Sequence, residues 1–204
     1  MEPPRTRTLA LLGDSIIDNG SYTKPSPDTA THLRGLLSPG WSVTLVARDG
    51  ATTDQVGPQL LRLPPGRPDV AVLSIGGNDL TEHIGILAPR VTSSTLLLTT
   101  LLDIAGKFEK RYARVLELIR PGVERLIVCT IYEVPLNGPE MARLARIPLA
   151  VFNDRIIRVA GRVGAEVLEL RDVCTEVSDF VDQIEPSAEG ARKIAVAIQT
   201  AVNW

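Results

Sequence analysis

The feature that most constrains the fold is a series of five short apolar runs, rich in β-branched residues and separated by longer segments. The longer segments carry the three-to-four-residue apolar spacing of amphipathic helices. Strands that alternate with helices are typical of a parallel sheet, because a parallel strand needs a long return connection. The pattern therefore predicts an α/β fold with a five-stranded parallel sheet, formed by Leu9–Leu12, Val43–Ala47, Val70–Ile75, Leu126–Ile131 and Glu166–Leu170.

Capping residues, prolines and glycines set the expected limits of the helices. We expect helices at 28–37, from Thr52 or Thr53 towards Leu61, at 92–120, at 148–163, and from a Ser187 cap to Val202. Gly106 is a candidate break in the longest helix, whose solvated face is expected to carry Lys107, Lys110, Arg111 and Arg114. No repeat or linker interrupts the pattern, so residues 1–204 are expected to form a single domain.

Charge and composition narrow the class of partner. A net charge of −2 over 204 residues gives no general attraction to nucleic acid or anionic membranes. No apolar run reaches the roughly 20 residues of a membrane span, and the first run is too short for a secretory signal. We therefore expect a cytoplasmic protein that acts on a small molecule or a polymer, and the sequence gives no indication of an oligomeric state.

Neither a metal nor another cofactor is predicted. Cys129 and Cys174 are interpreted as buried, reduced thiols, and no Cys/His cluster has the spacing of metal ligands. Asp49, Asp54 and Asp79 are interpreted as solvated carboxylates in turns.

Three glycine-containing turns follow three of the predicted strands: Gly13-Asp14-Ser15, then Gly50, then Gly76-Gly77-Asn78-Asp79. In an open α/β sheet these turns meet at the carboxyl edge, where such folds bind ligands. A serine hydroxyl there is either a helix cap or an exposed nucleophile. The Asn78 amide, with the backbone N–H groups of Ser15 and Gly50, is a candidate oxyanion hole.

These turns, in this order, resemble the conserved blocks of the SGNH hydrolases, also called the GDSL family of esterases and lipases. The resemblance runs from the first strand to the last helix. It implies a flavodoxin-like, three-layer α/β/α sandwich and hydrolysis of ester substrates. It also implies that Ser15 is the nucleophile and that Gly50 and Asn78 complete the oxyanion hole.

The chain departs from the family pattern just before its last helix. The family has Asp-x-x-His there, whereas this sequence reads Asp182-Gln183-Ile184-Glu185. Three hypotheses follow: Glu185, tuned by Asp182, is the general base; His83 supplies the imidazole; or the protein is a catalytically silent binder of an ester-like or carbohydrate-like ligand. Our prediction is an esterase that uses Ser15, with Glu185 in place of the usual histidine.

Overall fold

The computed structural model describes residues 5–83, 85, 93–136 and 138–203. Five parallel strands form the central sheet in the order β2-β1-β3-β4-β5. They are β1 (Arg7–Gly13), β2 (Trp41–Leu45), β3 (Val70–Ser74), β4 (Arg125–Cys129) and β5 (Glu166–Leu168). The predicted α/β class and the five-stranded parallel sheet are thus confirmed, and the order is that of flavodoxin-like folds.

Seven helices surround the sheet within the described ranges. They are α1 (Gly20–Thr23), α2 (Thr29–Leu36), α3 (Val56–Leu60), α4 (Gly77–Thr81), α5 (Ser94–Ile119), α6 (Pro139–Val163) and α7 (Ala188–Val202). A separate two-stranded antiparallel hairpin, β6 (Phe180–Val181) and β7 (Glu185–Pro186), precedes α7. None of the helices in the described ranges is long and apolar enough to cross a membrane.

Two apolar layers cover the two faces of the sheet. Alternate residues of β1 enter different layers: Ala10 and Leu12 pack with α5 and α6, whereas Leu9 and Leu11 pack with α2 and α7. Burial on both faces explains why the strands read as unbroken apolar runs. The rings of Phe108 on α5 and Phe152 on α6 stack with their centroids 4.5 Å apart, which fixes these two helices against each other.

Polar side chains cap the starts of α2 and α7 and of the short turn that precedes α3. The Asp28 side chain accepts a hydrogen bond from Thr31 N at the start of α2, and the Ser187 side chain accepts one from Gly190 N at the start of α7. Thr52 opens a capping box before the short 3₁₀ turn at Thr53–Gln55, which leads into α3. A side-chain acceptor at these positions satisfies backbone N–H groups that have no partner within the helix.

Two expectations about the long helices are wrong. Helix α5 runs unbroken through Gly106, because packing of its apolar face outweighs the roughly 1 kcal/mol that glycine costs in a helix; its predicted start at Thr92 lies outside the described residues. Helix α6 begins at Pro139, nine residues before the predicted start. Pro148 therefore lies inside the helix, although it cannot donate the usual backbone hydrogen bond.

Candidate active site

Ser15 lies in the turn directly after β1, at the carboxyl edge of the sheet, and is 6% exposed. Gly13 makes this turn possible: its φ is +126°, and a Cβ atom there would lie 1.8 Å from the carbonyl oxygen of Ser74. The Gln59 side chain holds the same residue, accepting from Gly13 N at 2.8 Å and donating to Gly13 O at 2.7 Å. The Gln59 side chain thus holds both the N–H and the carbonyl oxygen of Gly13, which fixes the turn and with it the position of Ser15.

Asp14, beside Ser15, is fully buried at 1% exposure. Its Oδ1 accepts a hydrogen bond from Ile16 N at 3.2 Å, whereas Oδ2 has no partner among the described residues. Burial raises the pKa of this carboxyl well above its ordinary value, the Ile16 bond opposes the rise, and the charges of Glu185 and Asp79 add to it. Asp14 therefore holds its proton more readily than an ordinary aspartate does.

Asn78 occupies the first turn of α4, directly beyond β3. Its side-chain Nδ2 donates to the carbonyl oxygen of Ala51 at 2.9 Å, which joins the turn after β3 to the turn after β2. An amide nitrogen carries two hydrogens, so one remains for a ligand. Gly76 permits the tight entry to α4, since its φ is +125° and a Cβ atom there would lie 2.9 Å from the Phe108 ring.

Gly50 lies in the exposed turn after β2, with a φ of +75°. Within the part of the chain that the structure describes, neither the Gly50 N–H nor the Ser15 N–H donates a hydrogen bond. Unused N–H groups of this kind are what an oxyanion hole requires.

Glu185 is delivered by the β6–β7 hairpin, where it pairs with Val181. Asp182 and Gln183 make the hairpin turn with left-handed backbone, at φ values of 47° and 71°. The Tyr132 hydroxyl donates to the carbonyl oxygen of Ile184 at 2.8 Å, which anchors the hairpin to the loop after β4. These contacts aim Glu185 at the carboxyl edge of the sheet.

The pKa of Glu185 is raised above its ordinary value, chiefly by burial. Interaction with the Ser15 side chain opposes this rise, and the charges of Asp49 and the exposed Asp182 reinforce it. The Oε2 atom of Glu185 is buried without a hydrogen-bond partner of normal geometry among the described residues. The carboxyl is therefore near the Ser15 hydroxyl and still has an oxygen free to accept a proton.

Asp79, the last residue of the third glycine-containing turn, is completely buried and not the solvated carboxylate that the sequence suggests. Its two oxygens accept hydrogen bonds from Thr53 Oγ1 at 2.7 Å and Thr53 N at 3.0 Å. Arg111 Nη2 lies 3.3 Å from Oδ1, so the expectation that Arg111 belongs to the solvated face of α5 is also wrong. This network ties α5 to the turns that carry Gly50 and Asn78.

Ser15, Asn78 and Glu185 meet at one cavity of about 270 Å³, bounded also by α4, by α6 and by the loop after β4. Gly50, Asp182 and His83 are not among the described residues that line it. No group of three or more histidine, cysteine, aspartate or glutamate residues within the described ranges is placed to hold a metal ion. Cys129 and Cys174 are both buried and unpaired, as predicted.

Four further residues shape this site without having been predicted to do so: Asp14, Gln59, Arg111 and Tyr132. Asp14 stands within a motif that was recognised, and its place at the end of an apolar run was a signal that it is buried. Gln59, Arg111 and Tyr132 gave no local signal, because each acts on a residue at least 32 positions away in the chain.

Comparison with solved structures gives the same fold. An extracellular lipase from Streptomyces rimosus superposes with a TM-score of 0.72 at 17% identity, covering 96% of this chain and 99% of that one. A catalytic mutant of Axe2, an acetylxylan esterase from Geobacillus stearothermophilus, gives 0.70 at 17% identity, covering 100% and 97%. Phospholipase A1 from Streptomyces albidoflavus NA297 gives 0.69 at 19% identity, covering 96% and 99%.

No curated protein sequence matches the chain. A family model, that of the GDSL-like lipase/acylhydrolase family, matches residues 11–193. The match includes the turns that carry Ser15 and Asn78 as well as the hairpin that carries Glu185, and it spans most of the chain. The protein belongs to the GDSL-like lipase/acylhydrolase family.

Proposed function

We propose that the protein is a serine hydrolase of carboxylic esters in which Ser15 is the nucleophile and Glu185 is the general base. One observation carries the proposal: Ser15, Asn78 and the half-buried Glu185 line the same cavity, where the Ser15 side chain also lowers the pKa of Glu185. A nucleophile, a proton acceptor and an amide donor at one cavity are the minimum for acyl transfer.

In the first step, Ser15 Oγ attacks the ester carbonyl carbon while its proton passes to the Glu185 carboxylate. The resulting tetrahedral oxyanion is stabilised by the N–H groups of Ser15 and Gly50 and by the free hydrogen of the Asn78 amide. Collapse breaks the carbon–oxygen bond of the ester, and Glu185 returns the proton to the departing alkoxide. Water then attacks the acyl-serine in the same way, which releases the acid and restores Ser15.

The environment of Glu185 brings its basicity closer to what this step needs. A free glutamate has a pKa of about 4.3, too low for an efficient base at neutral pH. Burial raises the pKa of Glu185, and the neighbouring acidic charges raise it further.

The related structures are consistent with ester hydrolysis, since they include a lipase, an acetylxylan esterase and a phospholipase. The catalytic mutant of the acetylxylan esterase has a histidine replaced by alanine, so that enzyme uses a histidine. For the present protein, we propose that Glu185 is the general base.

The test is hydrolysis of p-nitrophenyl butyrate by the wild type, Ser15→Ala and Glu185→Gln between pH 4 and pH 9. We expect each variant to lose at least about 10³-fold in kcat, because the nucleophile and its base act as one unit. For the wild type, kcat/KM should rise with pH through an inflection above about 4.3, as the Glu185 carboxyl loses its proton. Asp182→Asn should move that inflection to lower pH, since the Asp182 charge raises the pKa of Glu185.

His83→Gln is the matched control and should leave both kcat and the pH profile unchanged. Loss of activity in His83→Gln but not in Glu185→Gln would assign the base to the histidine. Absence of any Ser15-dependent turnover, with all variants folded by circular dichroism, would favour the catalytically silent binding protein instead.

A further inference from the structure

Away from its reacting end, the cavity beside Ser15 is lined mainly by apolar side chains of the described residues. The side chains of Asp14, Ser15, Asn78 and Glu185 are grouped together, and the remaining wall is built mainly from aliphatic residues. These include Leu80 from α4, Ile131, Val134 and Leu136 from the loop after β4, Leu149 from α6, and Ile184 from the hairpin.

Among the described lining residues, the two other polar side chains already use their hydroxyl hydrogens within the protein, so neither is free to donate to a ligand. The Thr81 hydroxyl donates to the carbonyl oxygen of Asn78 at 3.0 Å, and the Tyr132 hydroxyl donates to that of Ile184 at 2.8 Å. A sugar in this space would place hydroxyl groups against an aliphatic wall without partners, which costs about 1–3 kcal/mol for each group. The wall therefore favours a hydrocarbon chain over a carbohydrate.

The size of the cavity limits the length of that chain. A cavity of about 150 Å³ lined by apolar side chains is enough to bind benzene, which has six carbons. By proportion, the 270 Å³ found here accommodates on the order of ten carbons.

We propose that this cavity is an acyl subsite for an unbranched, saturated chain of about eight to ten carbons. The inference rests on the proposed function, which places the ester carbonyl at Ser15. The acyl group is assigned to this apolar space because it stays on Ser15 while the alcohol leaves and water enters. The alcohol, in contrast, must pass Glu185 to receive its proton and must then reach solvent.

The first experiment varies the acyl chain of p-nitrophenyl esters from acetate to palmitate. Each buried methylene is worth about a fourfold gain in kcat/KM, so octanoate should exceed butyrate by on the order of 10²-fold. Palmitate should fall below octanoate. In a second arm, acetate esters of alcohols from ethanol to decanol should show no comparable gain. A flat acyl series, or a steep alcohol series, would overturn the assignment.

The second experiment changes the size of the cavity. Leu149 is 6% exposed and lines it, whereas Ile147 on the same helix is 57% exposed. Leu149→Trp should lower the octanoate-to-acetate ratio of kcat/KM by at least about tenfold, and Leu149→Ala should move the preferred chain length upward. Ile147→Trp is the matched control and should leave the ratio unchanged. Equal ratios in all three variants would contradict the proposal, and Leu149→Ala keeps the test valid if the tryptophan does not fold.

Binding separates this inference from the proposed mechanism. Titration calorimetry with the neutral methyl ketones 2-hexanone, 2-octanone and 2-decanone should show tighter binding as the chain lengthens, in the wild type and in Ser15→Ala. If no ester is hydrolysed but this trend is present and is lost in Leu149→Trp, the proposed hydrolase fails and the apolar-chain site stands. If esters are hydrolysed without any dependence on chain length, the acyl subsite fails and the hydrolase stands.

Discussion

Two buried aspartates at the ends of neighbouring strands have opposite surroundings. Asp79, beyond β3, is completely buried, and both of its oxygens are occupied by Thr53 and Arg111. Asp14, beyond β1, is equally buried, but one of its oxygens has no partner among the described residues. Burial raises the pKa of both carboxyls, and the net pKa of each stays raised. The rise is opposed at Asp14 by the hydrogen bond from Ile16 N, and at Asp79 by two hydrogen bonds from Thr53 and the positive charge of Arg111.

The difference separates a structural role from a role at the reacting site. Asp79 is a junction that joins α5 to the turns carrying Gly50 and Asn78, so its partners are complete. Asp14 faces the cavity together with Ser15 and Glu185, and the charge of Glu185 adds to the rise in the pKa of Asp14. Buried polar groups without partners are rare in folded proteins, and they concentrate at functional sites.

The largest expected effect is the loss of the Asp79 junction. Asp79→Ala removes the acceptor of two Thr53 hydrogen bonds and leaves the Arg111 guanidinium without its buried partner. Breaking such a network should lower the free energy of unfolding by about 3 kcal/mol, measured by urea denaturation at pH 7.

Asp54→Ala is the control: Asp54 also pairs with Arg111, but its side chain is 69% exposed, and its loss should cost less than about 1 kcal/mol. Equal costs for the two variants would refute the structural role of Asp79.

A smaller effect, visible in its dependence on pH, is expected at Asp14. The pKa of Asp14 is higher in the folded protein than in the unfolded chain, so the folded state binds more protons between those two values. Its stabilising contribution is complete below about pH 3.9 and is lost as the pH rises towards the folded pKa. Asp14→Asn removes this titration, so the stability of the variant relative to the wild type should increase as the pH rises above about 3.9, measured by urea denaturation at a series of pH values.

Asp69 provides a control of the opposite sign. Burial raises the pKa of Asp69, but hydrogen bonds from Thr8 and the charge of Arg5 outweigh burial, and the net pKa is lowered. Its contribution is present above about pH 3.9 and is lost as the pH falls through the folded pKa. Asp69→Asn should therefore cost most at neutral pH and least in acid. If both variants changed stability in the same direction with pH, the contrast between a paired and an unpaired carboxyl would be wrong.

The sheet could be predicted from sequence because its signals are local. Each strand is buried on both faces, which makes its apolar run continuous, and Asp28, Thr52 and Ser187 mark helix starts by their own side-chain chemistry. The start of α6 was not predictable in this way. Pro148 is the usual residue of a first helical turn, yet here it lies ten residues inside the helix, with its ring against the cavity.

The residues of the site also differ in whether a local sequence pattern marks them. Ser15, Asn78 and Glu185 were accessible to sequence reasoning because each stands in a short motif at the edge of the sheet. The groups that position these residues could not be predicted in this way. Asp79 pairs with Arg111, 32 residues away on α5, and Gly13 is hydrogen-bonded by the side chain of Gln59, 46 residues along the chain. Hydrogen bonds over such distances depend on the packing of helices, which a local pattern does not encode.

The smallest expected effect comes from the other half of the ion pair. Arg111 is partly exposed, and after the hydrogen bonds from Thr53 its charge also opposes the rise that burial causes in the pKa of Asp79. Without Arg111 that pKa should rise further, so the buried Asp79 can reduce its own cost by retaining a proton. Arg111→Met should therefore cost only about 1 kcal/mol at neutral pH. Its cost should grow as the pH rises, because the folded variant holds the Asp79 proton to higher pH than the wild type does. Arg114→Met, one turn along on the exposed side of α5, should change neither the stability nor its pH dependence. A cost for Arg111→Met that does not vary between pH 5 and pH 8 would mean that the guanidinium stabilises by packing and not by its charge on Asp79.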